Sequence, residues 1–239
     1  MTPDLTGRRV VLATRNAHKV AELRRILASA GLDVELVSVE TYPGAPEVAE
    51  TGDSFEANAL LKAHAIAAAT GEIAIADDSG LAVDALNGMP GIFSARWSGD
   101  LCPDPAKRDD ANLRLLLSQV SDVPDERRGA SFVCAAAAAF PDGTDIVTHG
   151  RVFGSLGREP HGSNGFGYDP IFVPTAHDRT TAEMSADEKD AISHRGEAFR
   201  KLARMLAGEP AATRLDAAPS STHSLSADSS STPSSPDVG

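Results

Sequence analysis

Arg9-Val10-Val11-Leu12-Ala13-Thr14-Arg15-Asn16-Ala17-His18-Lys19-Val20 decides the fold class, because its apolar spacing changes partway through. Arg9 to Ala13 is a short apolar, β-branched run, the pattern of a buried strand. Val20, Leu23, Ile26 and Leu27 then recur at helical spacing. A strand, a loop and a helix follow in order. Gly31 suits the left-handed residue after the helix, and Val34-Glu35-Leu36-Val37 alternates as a second strand. The chain therefore opens β-α-β, which places it in the α/β class with a parallel strand pair.

Reading outward, a Pro- and Gly-containing loop from Tyr42 to Gly52 leads to Asp53. This residue is expected to cap a helix, with Glu56 at the capping-box position. That helix should run to about Thr70 before Gly71. Ile73-Ala74-Ile75-Ala76 reads as a buried strand ending in Asp77-Asp78-Ser79-Gly80, so that two carboxylates stand at its carboxyl end, where open α/β sheets bind ligands. Pro105 to Gln119 reads as a helix with Leu113, Leu116 and Leu117 on one face. Ala130–Phe140 and Thr144–Phe153 flank the turn Pro141-Asp142-Gly143 as an antiparallel hairpin, which makes the sheet mixed. Ser185, with Glu188, should cap a last helical region whose apolar face carries Ala198, Leu202 and Met205.

The 239 residues carry 34 Asp and Glu against 22 Lys and Arg, a formal charge of −12. Such a balance argues against a nucleic acid polymer as partner. Residues 1–208 are expected to form one domain and residues 209–239 a disordered tail. From Ala211 onward Ser, Ala, Thr, Pro and Asp dominate, and little apolar surface is available to offset the entropy of ordering. Cys102 and Cys134 are too few for a disulfide framework. The N-terminus lacks a long apolar segment, and the expectation is a cytoplasmic protein that neither spans nor binds a membrane.

The loop Thr14-Arg15-Asn16-Ala17-His18-Lys19 offers backbone N–H groups at a helix start plus a lysine, a natural anion site, although the same residues suit an ordinary surface loop. Asp77, Asp78 and Glu50 supply hard oxygen ligands of the kind Mg²⁺ takes together with phosphates, yet Asp-Asp-Ser-Gly is also a turn composition. Lys62 shares a helix face with Asn58. In Gly162-Ser163-Asn164-Gly165-Phe166-Gly167-Tyr168-Asp169-Pro170, glycines surround two aromatics that could meet a flat ligand, and Lys189, His194 and Arg195 form a further basic group. His149, His161 and His177 show no metal-ligand spacing.

These residues closely resemble a known family, the non-canonical purine NTP pyrophosphatases, that is the Ham1/RdgB-like dITP/XTP pyrophosphatases or inosine triphosphatases. The match is carried by Val10 to Asn16 with Lys19, Glu50-Thr51-Gly52 with Phe55-Glu56 and Asn58-Ala59, Ala76 to Leu81, and Pro90-Gly91 with Ser94-Ala95-Arg96. Gly165 to Pro170 and Glu188-Lys189 with Ser193-His194-Arg195-Gly196 complete it. It covers about residues 9 to 206. The resemblance implies an elongated mixed β-sheet flanked by helices, two lobes around an active-site cleft, a homodimer, and Mg²⁺-dependent hydrolysis of ITP, dITP and XTP to the monophosphate and pyrophosphate. By position it implies Asp78 as the proton acceptor and metal ligand and Glu50 as the second metal carboxylate. It implies substrate contacts from Thr14, Arg15, Asn16, Ala17, His18, Lys19, Lys62, Ser79, Phe166, Gly167, Tyr168, Asp169, Lys189, His194 and Arg195, the last three near the base. Arg15 departs from the glycine common at its position and would be strained there if the loop required a positive φ. A related Maf-like pyrophosphatase of modified pyrimidine or methylated nucleotides and a non-hydrolysing nucleotide sensor are the alternatives. The Ser193-His194-Arg195 motif argues against the first, and retention of Glu50, Asp78 and Lys19 argues against the second.

Overall fold

The computed structural model describes Leu5, residues 7–102 and residues 104–208. The expected tail lies outside the described residues. Strand β1 (Arg9–Leu12), helix α1 (Ala17–Ser29) and strand β2 (Glu35–Ser38) form the expected opening unit. Helix α2 (Phe55–Thr70) leads into β3 (Ile73–Val83). Helix α3 (Arg108–Gln119), strands β4 (Gly129–Ala139), β5 (Asp145–Leu156) and β6 (Phe172–Pro174), and helices α4 (Ala186–Ile192) and α5 (His194–Leu206) complete the chain. No helix among the described residues is long and apolar enough to cross a membrane.

One six-stranded sheet runs β2-β1-β3-β4-β5-β6. β1 is parallel to both β2 and β3, and the remaining pairs are antiparallel, so the sheet is mixed as expected. β3, β4 and β5 are 11, 11 and 12 residues long. At about 3.3 Å per residue such strands reach some 36–40 Å, long enough to serve two regions of core. On one face of their proximal half, α1 and α5 press Leu23, Ile26, Leu27, Phe199, Leu202 and Leu206 onto Val10, Leu12, Ile73 and Ile75. On the other face α2 sets Ala59, Ala63, Ile66 and Ala67 against Ala74, Ala76 and the alanines of β4. The distal half carries a third core, in which Leu81, Val83, Phe132 and Leu156 meet Leu113 and Leu116 of α3 and Ile171 and Phe172.

Four local expectations are corrected. β3 does not end before Asp77-Asp78-Ser79-Gly80 but runs through it, because β4 supplies an uninterrupted antiparallel ladder from Ala139 to Ala130. The α2 cap is Ser54, whose Oγ accepts from Ala57 N at 3.2 Å, one residue beyond Asp53. Residues 105–107 form a 3₁₀ turn capped by Asp104, and the α-helix begins at Arg108. The last helical region is two helices: Ser185 caps α4 with the expected box, while Ser193 adopts an extended conformation and caps α5 through Gly196 N. As a result Leu206 is buried on the α5 face, and Met205 is only half-buried.

Candidate active site at the end of β1

β1 has β2 on one side, reached through α1, and β3 on the other, reached through α2. The crevice beyond its carboxyl end is therefore a topological switch point. β1 pairs with β3 only as far as Leu12 opposite Ile75. Past that point β3 loses its parallel neighbour, and Asp77, Asp78, Ser79 and Gly80 border the opening, between the proximal and distal cores.

Side chains alternate across a strand, so the two aspartates face opposite ways. Asp77 follows Ile73 and Ile75 toward α1 and α5, where Lys19 Nζ lies 2.9 Å and Arg195 Nε 3.2 Å from Oδ2, and Ser79 Oγ donates to it at 2.6 Å. Asp78 follows Ala74 and Ala76 toward α2, where Asn58 Nδ2 donates to Oδ2 at 2.9 Å and Lys62 Nζ stands 3.6 Å from Oδ1. Asn58 Oδ1 accepts from Gly52 N at 2.8 Å, which ties the Glu50 loop to the same helix. Glu50 reaches Lys62 Nζ at 2.6 Å and Arg96 at 3.1 Å. Lys62 thus bridges Glu50 and Asp78.

The neighbouring aspartates differ in proton affinity. Burial alone would raise Asp77, but Lys19, Arg195, Lys62 and the Ser79 hydroxyl hold it far below the usual carboxylate range. Asp78 is raised, chiefly by burial, with Glu50 adding repulsion that Lys62 and Asn58 do not cancel. Glu50 is lowered, because Lys62, Lys19 and Arg96 outweigh its desolvation, and the carboxylates in turn raise Lys62 against the burial that would lower it. His194 is driven well below its ordinary value by burial and by Arg195 and Lys189, and is therefore neutral at pH 7. Among the described residues no group of three or more His, Cys, Asp or Glu is placed to hold a metal ion. Two carboxylates bordering one crevice, one of them with a raised proton affinity, form a donor set that suits a hard divalent cation whose other ligands are waters and phosphates.

Two cavities meet here. One, of about 130 Å³, is lined by Phe132, Phe166, Tyr168, Lys189, His194 and Ser79. The other, of about 270 Å³, is lined by Thr14, Arg15, Glu47, Lys62 and Asp77 among others. Asn16, Lys19, Glu50 and Ala95 line both. An apolar, aromatic compartment thus adjoins a charged one, with Asp78 on the aromatic side of the junction.

A model of the Ham1 family matches residues 10–205. The chain belongs to the Ham1 family. It is 59% identical over 194 residues to a dITP/XTP pyrophosphatase of Streptomyces coelicolor, covering 81% of this chain and 94% of that one. A protein of the same description from Frankia alni is 60% identical over 198 residues, covering 83% and 96%. A HAM1 protein of Coxiella burnetii superposes with a TM-score of 0.74 at 38% identity, covering 84% of this chain and 99% of that one. A nucleoside-triphosphatase / dITP/XTP pyrophosphatase of Mycobacterium abscessus, 54% identical, gives 0.64 over 84% and 96%.

In this Ham1 chain the residues singled out from sequence fall into three groups. Thr14, Arg15, Asn16, Lys19, Glu50, Lys62, Asp78, Ser79, Phe166, Gly167, Lys189 and His194 line the two joined cavities. Tyr168, Asp169 and Arg195 also line the aromatic cavity but are held by the protein. The Tyr168 hydroxyl donates to Ser94 O, Asp169 accepts from Lys189 Nζ and Thr181 Oγ1, and Arg195 is buried between Glu22 and Asp77 with its guanidinium 5.1 Å from the Phe166 ring centre. Ala17 and His18 line a separate cavity, where the His18 ring stacks on Phe166 at 5.7 Å. Asn16 accepts from His18 N and Lys19 N and so caps α1 itself. Arg15 is not among the residues with a positive φ, so the expected strain is absent. Sequence reading passed over the roles of Glu22 and Arg96. A carboxylate on the apolar face of α1 and an arginine in a 3₁₀ turn carry no local signal of their partners, which come from 173 and 46 residues away.

Proposed function

We propose that this chain is a Mg²⁺-dependent pyrophosphatase of non-canonical purine nucleoside triphosphates, hydrolysing ITP, dITP and XTP to the monophosphate and pyrophosphate and so clearing deaminated purines from the cytoplasmic nucleotide pool. A homodimer is part of this reading. The observation that carries it is the junction itself: Asp78, Glu50, Lys62 and Lys19 stand where an aromatic cavity meets a charged one lined by Thr14, Arg15, Lys19 and Lys62. A purine between Phe166 and the neighbouring ring walls would direct its triphosphate past Asp78 toward Thr14–Lys19.

In this reading Asp78 takes the proton of the attacking water, a task suited to the carboxylate with the raised proton affinity. Asn58 fixes the orientation of Asp78, and Lys62 holds Asp78 and Glu50 together. Mg²⁺ held by Glu50 and Asp78 would neutralise charge on the phosphoryl oxygens. Lys19, spanning both cavities, adds a fixed positive charge beside them. Neutral His194 stacks flat on Phe132, ring centres 4.9 Å apart, and its buried Nδ1 has no partner among the described residues. A purine with a 6-oxo group offers that ring a hydrogen bond. Lys189 supplies a second donor near the same edge.

The test is pyrophosphate release with Mg²⁺ from ITP, XTP, ATP, GTP and a methylated pyrimidine triphosphate, with orthophosphate measured separately. Pyrophosphate from ITP and XTP with little from ATP or GTP is expected. Preference for the pyrimidine would favour the Maf-like reading, and binding without release would make the chain a sensor.

A further inference from the structure

The Phe166 ring, which the reading above sets against the purine, belongs to none of the three apolar cores among the described residues. Its neighbours are polar: the His18 ring at 5.7 Å, Lys189 Nζ at 5.2 Å and the Arg195 guanidinium at 5.1 Å from its centre. Core packing therefore does not set its direction, and the backbone on either side must. Before it, Asn164 is bound to Ala182 O and Met184 O, and Phe166 N itself donates to Asp169 Oδ2 at 2.9 Å. After it, Tyr168 is held by a ring buried in the distal core. Between Phe166 and Tyr168 lies Gly167, which has no side chain and a φ of +61°, a conformation open to glycine. Its N–H donates at 3.0 Å to Oδ2 of Asp109, a residue 58 positions earlier in the first turn of α3. Asp109 is exposed and lines the aromatic cavity together with Gly167.

We propose that Asp109 is a positioning residue for base recognition: its carboxylate, through the Gly167 amide, fixes the Phe166 ring in the orientation that stacks on a purine. This rests on the reading of the cleft given above. A ring fixed before the ligand arrives loses little freedom on binding, whereas a ring carried on an untied glycine must give that freedom up. Asp109 then acts on the base end of the substrate and not on the phosphate end. Asp110 is its internal control. It stands in the same turn, with the same favourable charge at the helix N-terminus, but pairs with Arg114 instead of the loop.

The experiment compares wild type with Asp109→Ala, Asp109→Asn and Asp110→Ala, all with Mg²⁺. It measures KM and kcat for ITP, the calorimetric Kd of IMP and of inorganic pyrophosphate, and the solvent exchange rate of the Gly167 amide by NMR. Asp109→Ala removes a hydrogen bond to a charged acceptor, and is expected to raise KM for ITP and Kd for IMP about tenfold. Gly167 exchange should quicken by a similar factor, while kcat and Kd for pyrophosphate stay within twofold. Asn, whose amide oxygen can accept the same bond, should restore most of the loss, and Asp110→Ala should match wild type. Unchanged IMP affinity in Asp109→Ala would overturn the proposal. So would equal weakening of IMP and pyrophosphate, or the same change in Asp110→Ala, since either would make Asp109 a support of α3 only. Wild type that binds IMP but releases no pyrophosphate from ITP or XTP would defeat the functional reading alone, and the two binding constants would still judge Asp109. Wild type that binds no IMP would overturn both.

Discussion

Asp77 and Asp78 are adjacent, chemically identical and both buried, yet replacing each by Asn should have opposite consequences. Asp77 is 2% exposed and its charge serves Lys19 and Arg195. Removing one partner of a buried ion pair costs about 3–5 kcal/mol. Here Arg195 keeps Glu22, Lys19 is partly hydrated, and the amide oxygen still accepts a hydrogen bond, so the lower figure of about 3 kcal/mol is the working value. For a domain of this size that corresponds to a Tm lower by about 6–12 °C. Asp78 is the reverse case. Its folded carboxyl has a higher proton affinity than an unfolded one, so at pH 7 its ionised form opposes folding. A neutral amide removes that opposition, and Asp78→Asn should melt within about 2 °C of wild type or slightly above it. It can neither accept a proton nor ligate as an anion, and turnover should fall by about 10²–10⁴. Melting followed by circular dichroism, with pyrophosphate release measured well below both transitions, separates the two. An Asp77→Asn variant that melts with wild type, or an Asp78→Asn variant that is destabilised as strongly as its neighbour, would refute the assignment of charge to one face and chemistry to the other.

Tyr168→Phe removes the hydroxyl that donates to Ser94 O at 2.9 Å but keeps the ring, so a loss of about 1–2 kcal/mol in denaturant unfolding is expected with KM for ITP within twofold. A tenfold rise in KM would show that the hydroxyl serves substrate. Gly150→Ala would place a Cβ 2.0 Å from His194 O and 2.7 Å from Ala198 N, forcing α5 off β5. Its urea midpoint should drop by the equivalent of about 3 kcal/mol, and an unchanged midpoint would contradict that close approach. His194 is held neutral in the fold, so the unfolded chain takes up a proton first as pH falls through about 6.5, and stability is lost below that value. Between pH 6.5 and 5.5 the loss should be about 1 kcal/mol, and His194→Gln should flatten it. An equally steep slope in the variant would assign the effect to other groups.

The opening β-α-β unit was legible because a change of apolar period is a local signal, and the hairpin was legible because Pro141-Asp142-Gly143 is a local turn. The course of β3 past Ala76 was not. Asp-Asp-Ser-Gly has the composition of a turn, and only the ladder offered by β4 overrides it. All the residues singled out for the site except Ala17 and His18 line the two joined cavities, yet their division of labour was hidden. Arg195 reads as a donor for a ligand, whereas Glu22 and Asp77, reached only after α1, β3 and α5 have packed, claim most of it. The break at Ser193 was similarly masked, since Ser-His-Arg-Gly inside a helical stretch resembles one continuous helix until the cap geometry is formed.

The partner of β3 along the site is the run Cys134-Ala135-Ala136-Ala137-Ala138-Ala139, whose two faces are almost alike. Such a strand by itself does little to fix the register of β3, and a shift by one residue would exchange Asp77 with Asp78. Alignment must therefore be enforced elsewhere. Gly80 lies so close to the turn at residues 91–94 that a Cβ would meet Gly91 O and Ser94 Oγ at 2.4 Å, while Ser94 Oγ accepts from Leu81 N at 2.9 Å and donates to Gly91 O at 2.6 Å. This peg fits β3 in one alignment only. A serine that touches neither carboxylate thus helps to hold the alignment in which Asp78, and not Asp77, faces α2.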